Sequence, residues 1–242
     1  MKLLAFETAT EACSVALYLD GEVRERFEIA PRRHAELSLP WADALLAEAG
    51  VARSQLDAIA VGRGPGAFTG VRLAIALAQG IALALDRPVV PVSTLRALAA
   101  RAFPALPLAG EGRGEGAKIL AAIDARMGEI YTATFRREGD DMVMASDETV
   151  ISPTAYELPE MGEDWIGVGT GFSAEAGVLQ SRLGDRFARI DAAALPHASD
   201  VAMFAVLAHA RGEAIAAEFV EPAYLRNNVA LTLNEQKALR SR

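Results

Sequence analysis

The chain holds a single cysteine, Cys13, among its 242 residues. One thiol cannot close an internal disulfide, and small secreted scaffolds carry cysteines in spaced pairs, so the reading is a protein of the reducing cytoplasm. Histidine is nearly as scarce, with His34, His197 and His209 the only three. None of them stands at a metal-pairing distance from another, and His34-Ala35-Glu36 is not a zinc site. No Gly-x-Ser-x-Gly elbow is present to raise a hydrolase serine. Long apolar runs are missing as well. The first one stops at Glu7, too early for a signal peptide, and residues 73–85 are broken by Gln79 and Gly80, short of the roughly 20 residues that span a bilayer. No membrane role is expected. A basic excess is also lacking: 24 Lys and Arg face 32 Asp and Glu, for a net charge of −8. Holding nucleic acid unaided needs clustered cations, so any RNA contact is expected to be shared with a partner. Arg24, Arg26, Arg32 and Arg33 do cluster, but Glu22, Glu25, Glu28 and Glu36 interleave with them, as on a solvated strand edge.

What is present is a large apolar share, 52%, enough for one or two cores. Residues 2–7, 13–19 and 22–29 are strand-like, with Asp20-Gly21 as a hairpin turn and Val23, Phe27 and Ile29 expected on one core face. Residues 34–49 have helical spacing through Leu37, Trp41, Leu45 and Ala49. A strand at 57–62, a helix at 69–85, a strand at 88–92 and a serine-capped helix at 93–103 follow, giving βββαβαβα. Residues 104–117 mix Gly, Pro and charge without period and read as a linker. Beyond it, strands at 118–124, 129–136 and 142–151, a short helix at 153–158, strand 165–167, helix 173–183, strand 186–190 and helix 198–210 repeat the pattern. Residues 221–242 read as a surface-packed or mobile tail. Leu4-Ala5-Phe6-Glu7 resembles Ala121-Ala122-Ile123-Asp124, and Ala16 matches Ala133. The expected fold class is α/β: two βββαβαβα domains, 1–103 and 118–242, facing one another across a cleft as in actin-like (ribonuclease H-like) ATPases.

Three features could carry chemistry. Glu7 and Asp124 end the first strand of each half, and Gly169 follows a later one. Either the two carboxylates hold a magnesium-bound ATP or ADP in the cleft, or each accepts hydrogen bonds from the turn it opens. The stretch Gly64-Pro65-Gly66-Ala67-Phe68-Thr69-Gly70 lies between a strand and a helix, where backbone amides attract anions, but it lacks the Gly-Lys-Ser/Thr ending of a nucleotide loop. A tight turn built for close backbone approach is the better reading. The helix that follows is uncharged after Arg72, and Leu73, Ala76, Leu77, Gly80 and Ala84 form a small-residue stripe. That stripe meets either the chain's own interior or another protein.

The opening Leu4-Ala5-Phe6-Glu7-Thr8-Ala9-Thr10, then Arg33-His34-Ala35-Glu36, Gly64 to Arg72, Ile123-Asp124-Ala125-Arg126 with Glu129 and Tyr131, and Pro222-Ala223-Tyr224-Leu225-Arg226 together resemble the TsaB family. The Gly-Pro-Gly-x-Phe-Thr-Gly-x-Arg stretch is the most specific of these, and Glu7 and Ala9 depart from the usual Asp and Ser. The resemblance implies an actin-like fold and a non-catalytic subunit of the machinery that forms threonylcarbamoyladenosine on tRNA. It also implies a heterodimer with the catalytic paralogue TsaD, TsaE as a third component, tRNA met only through the complex, and a homodimer when TsaD is absent. Partner contacts are expected from Leu37, Trp41 and Leu45 on one helix, and from Arg72, Leu73, Ala76, Leu77, Gly80 and Ala84 on the next. The His-x-x-x-His metal pair of TsaD is reduced here to His34 and Ser38, so no metal is expected. The alternative is a small ATPase or peptidase working from Glu7 and Asp124.

Overall fold

The computed structural model describes residues 1–103 and 114–226, so most of the expected linker and the end of the expected tail lie outside the described residues. The first half runs β1 (Lys2–Glu7), β2 (Ala12–Leu19), β3 (Glu22–Ile29), α1 (His34–Glu48), β4 (Ala58–Gly62), α2 (Phe68–Leu85), β5 (Val89–Val92) and α3 (Thr94–Ala100). Asp20 and Gly21 both adopt positive φ, 47° and 108°, as the tight β2–β3 hairpin requires. The side chain of Ser93 caps α3 by accepting the N–H of Arg96. The sheet order is β3-β2-β1-β4-β5, antiparallel up to β1 and parallel beyond it.

The second half comprises β6 (Lys118–Arg126), β7 (Glu129–Glu138), β8 (Asp141–Met144), β9 (Thr149–Ile151), β10 (Trp165–Val168), α4 (Val178–Leu183), β11 (Phe187–Asp191) and α5 (Ala198–Ala210). Its order, β11-β10-β6-β7-β8 with β9 also on β7, reproduces that of the first sheet. Ala16 lies opposite Ala5 and Ala133 opposite Ala121, so the weak internal similarity marks the same hairpin twice. The expected strand over 142–151 is two short ones, and 153–158 is a turn. The helix expected from 173 begins only at Val178, because Glu175 and Ala176 take left-handed conformations.

The last helix of each half crosses over. Helix α3 packs on β6, β7 and β8, whereas α5 packs on β1, β2, β4 and β5. Packing therefore does not follow the division at 103 and 118. Leu95, Leu98, Val201, Phe204 and Ala205 join both sheets in one central core. Helices rich in alanine on every side suit this layer, since sheets press on them from both directions. Arg101 after α3 pairs with Asp200 of α5 at 3.3 Å. Burial pushes Asp200 up to about 6, against the pull of Arg101. Glu25 of β3 accepts from His197 Nδ1 at 2.9 Å and from the Ser199 N–H at 3.1 Å, fixing the start of α5. Phe27 and Ile29 were expected in the core but are 36% and 61% exposed, because β3 is an edge strand; Phe27 stacks on His197 instead.

Helix α2 covers the outer face of the first sheet with Val71, Ala74, Ile75, Ala78 and Ala82. It starts before the apolar run seen in the sequence, and its 18 residues, at mean hydropathy 1.7, are by length and composition enough to cross a membrane. Here it is a layer of the α/β fold, with Gln79 donating to the carbonyl of Ala217 at 2.9 Å. Its other face carries exposed Arg72, Ala76, Gly80, Leu83 and Ala84, with Leu73 and Leu77 half-buried at the margins. Leu37, Trp41 and Leu45 of α1 do not extend that face. Leu37 and Leu45 are buried and Trp41 packs against the same core, so the apolar spacing of α1 is its sheet-facing side.

Candidate functional site

The turn after β1 and the glycine-rich loop before α2 are built against each other. Ala67 N–H donates to the carbonyl of Ala9 at 2.7 Å, and Thr8 Oγ1 donates to the carbonyl of Gly70 at 2.7 Å. A Cβ at Gly66 would stand 2.4 Å from the Ala9 oxygen, and one at Gly62 1.9 Å from Glu7 Oε2. These glycines allow close backbone approach, and Gly64 also takes φ 90° with its N–H donating to Thr94 Oγ1 at 3.1 Å. Pro65 and Gly70 are buried beneath the loop, while Phe68 and Thr69 are exposed at the head of α2. The loop is a clamp on the β1 turn.

Glu7 lies inside that clamp. It is 1% exposed, accepts from Ala9 N–H at 2.7 Å and from Thr94 Oγ1 at 2.9 Å, and does not reach the cleft. Burial pushes its carboxyl from 4.5 up to about 7, against the pull of those hydrogen bonds. A raised value means that the stability tied to the neutral form is complete below 4.5 and lost as pH rises through about 7. Glu7→Gln keeps an acceptor for Ala9 without the charge. Denaturant unfolding at pH 5 and pH 8 is expected to show the parent losing about 2 to 3 kcal/mol more than the variant. Equal losses would mean that Glu7 is not neutral when buried.

Asp124 does face the cleft, but it accepts from the Arg126 N–H at 2.7 Å and from Arg126 Nη1 at 2.8 Å. Gly169 is buried against the Ala122 carbonyl and Leu98, where a Cβ would be 2.3 Å from that oxygen. The three residues expected to share a nucleotide therefore do not converge. They do not fit a magnesium nucleotide held between two carboxylates. Among the described residues no group of three His, Cys, Asp or Glu side chains is arranged to hold a metal ion.

The cleft between the halves is a cavity of about 930 Å³. Its walls come from the β1 and β6 turns, the head of α2, the Pro31–Arg32 corner before α1, and residues 223–226. These last residues belong to the segment expected to be a surface-packed or mobile tail, and they are packed. Here Arg226 reaches across to the carbonyls of Ala125 and Arg126 and to Glu129, while Tyr224 OH accepts from Arg72 Nε at 2.6 Å. The signal lay in the Pro-Ala-Tyr-Leu-Arg motif.

A family model described as TsaD, tRNA N6-adenosine threonylcarbamoyltransferase, matches residues 27–233. The tRNA threonylcarbamoyladenosine biosynthesis protein TsaB of Escherichia coli K12 is 40% identical over 240 residues, covering 95% of this chain and 96% of its own. That of Haemophilus influenzae is 37% identical over 237 residues, covering 95% of each. Among solved structures, YeaZ from Pseudomonas aeruginosa is similar at a TM-score of 0.80 and 44% identity, over 93% of this chain and 99% of that one.

Proposed function

Since the chain belongs to the TsaB family, we propose that it is a non-catalytic subunit of the machinery that forms threonylcarbamoyladenosine on tRNA, and that it acts by pairing with the catalytic paralogue TsaD, with TsaE as a third component. The observation that carries this reading is the outer face of α2, where Arg72, Ala76, Gly80, Leu83 and Ala84 stay exposed on a helix that is otherwise apolar. An uncovered apolar helix face costs solubility unless a partner shields it. Small residues at 76, 80 and 84 let a second helix approach closely. The partner is of related fold, so its equivalent helix offers a similar surface, and a second copy of this chain takes that place when the partner is missing. The competing reading, an ATPase or peptidase using Glu7 and Asp124, is disfavoured because Glu7 is sealed beneath the glycine loop.

Reconstitution tests the proposal. With threonylcarbamoyl adenylate as donor and ATP supplied, threonylcarbamoyladenosine formation on tRNA by purified TsaD and TsaE is expected to need this chain, and the chain alone is expected to give none. Full activity without it would overturn the assignment.

A further inference from the structure

A second opening lies between the halves. It is a groove of about 450 Å³ between the edge strands of the two sheets, β5 of the first and β8 of the second. Its lining shares no residue with the large cleft and includes none of α2. Three guanidinium groups reach it from three elements: Arg63 just after β4, Arg96 in the first turn of α3, and Arg211 just after α5. Asp141 of β8 is the one carboxylate among its lining residues.

Each arginine is held in place. Arg63 Nη2 donates to Glu148 at 2.9 Å, Arg96 Nη2 to one oxygen of Asp141, Arg211 Nη1 to the other at 3.1 Å, and Arg211 Nε to Glu213. The Phe204 ring lies 4.4 Å from Arg96 Cζ and fixes the plane of that guanidinium. Glu148 also accepts from Ser93 Oγ, so both oxygens of Glu148 and both of Asp141 already have a donor. The arginines are not exhausted in the same way. A guanidinium has more N–H groups than these contacts use, and Arg96 Nε is buried without a partner among the described residues. With Glu148 and Glu213 behind the wall the cluster is close to neutral, so the groove attracts by its free donors and not by net charge. Donors in excess, with the acceptors engaged, are satisfied by a group that brings acceptors alone, which is an anion.

Geometry selects among anions. A carboxylate is flat and fits one guanidinium fork or bridges two, as Asp141 already does here. Donors arriving from three separate elements suit a tetrahedral group with an oxygen for each. We infer that this groove binds one phosphate group, met by Arg63, Arg96 and Arg211. The phosphate is either the free ion or a link of an RNA backbone, and the two present the same kind of oxygen. Val143 and Met144 are 38% and 40% exposed, so the β8 wall is open to solvent and admits either source. This site is independent of the pairing proposed above and is tested without any partner.

The test titrates the full chain, at constant ionic strength, with inorganic phosphate, with acetate and with a short unstructured RNA oligonucleotide, by calorimetry. Saturable binding of phosphate or RNA is expected, weakened about tenfold or more by Arg211→Gln, as losing a charge-assisted hydrogen bond implies. Met144→Glu is expected to weaken it too, by placing a carboxylate on the wall without removing a side-chain hydrogen bond. Arg211→Gln leaves Asp141 paired with Arg96 and Glu213 in water, whereas losing Arg63 would strand the buried Glu148. Arg53→Gln, whose partner is Asp43 and which lies outside the groove, is expected to bind like the parent. Binding of phosphate alone identifies the free ion, binding of RNA alone a strand, and binding of both the phosphate group wherever it is carried. The inference is overturned if neither binds at millimolar concentration, if acetate binds as tightly as phosphate, or if both groove variants bind like the parent. An unfolding curve accompanies each variant, and Met144→Glu decides if Arg211→Gln does not fold.

Discussion

Ala76→Glu combined with Leu83→Glu is expected to abolish pairing with a TsaD-type partner while leaving the chain folded. Both side chains are exposed, Leu83 at 64%, and lie two turns apart on one face of α2, so the isolated chain meets the new carboxylates with water. In the proposed interface they would be buried without a counter-charge. That costs about 3 to 5 kcal/mol, a hundredfold or more in affinity. Copurification and a sedimentation or calorimetric titration would read the loss, and the unfolding midpoint of the variant alone should match the parent. Undiminished pairing by a folded variant would place the interface elsewhere. Leu77 is a poorer site for the same change, because it is half-buried against the chain's own core and its substitution would confuse docking with folding.

Gly70→Ala is expected to have the largest effect on stability for the smallest chemical change. A Cβ there would lie 1.9 Å from the Thr8 carbonyl oxygen, and the obstacle is backbone, held in turn by the Thr8 Oγ1 bond to the Gly70 carbonyl. Neither side can yield without opening the clamp over Glu7. Overpacking of this kind costs about 3 kcal/mol, which lowers the melting temperature of a chain of this length by roughly 6 to 12 °C. Gly80→Ala is the matched control, since nothing lies within 4 Å of a Cβ at that position. In a helix interior alanine is worth about 0.5 to 1 kcal/mol over glycine, so the same substitution ten residues on should raise the midpoint. Thermal melts of both variants check the pair, and a melting temperature for Gly70→Ala equal to the parent's would refute the clamp.

Local pattern carried most of the fold. The Asp20-Gly21 turn and the serine cap of α3 are decided within a few residues of chain, and the second sheet repeats the strand order of the first. The exposed stripe of α2 was legible too, as composition: a helix without charge after Arg72 has more apolar surface than one sheet can cover. On α1 the same reasoning misled. Leu37, Trp41 and Leu45 have helical spacing whichever way they point, and periodicity names a face without naming what it meets. The crossing of α3 and α5, the engagement of residues 223–226 with the cleft, and the place of Arg32 in its wall all depend on contacts between residues far apart in the chain. Arg32 shows this most plainly. Glu28 and Glu36 stand four residues to either side of it, but both pair with Arg33, while Arg32, in a left-handed conformation at φ 71°, lines the cleft.

The crossed helices also set how this protein can come apart. A fragment of residues 1–103 would carry α3, which belongs on the other sheet, and would lack α5 to cover the inner face of its own. A fragment from 114 to 226 would have the mirror-image deficit. Each piece is thus the missing wall of its counterpart, so the halves are not separable modules in the way their repeated topology suggests. A break in the chain between them would yield two species that are soluble and shaped only in each other's company, the relation exploited in split-protein complementation.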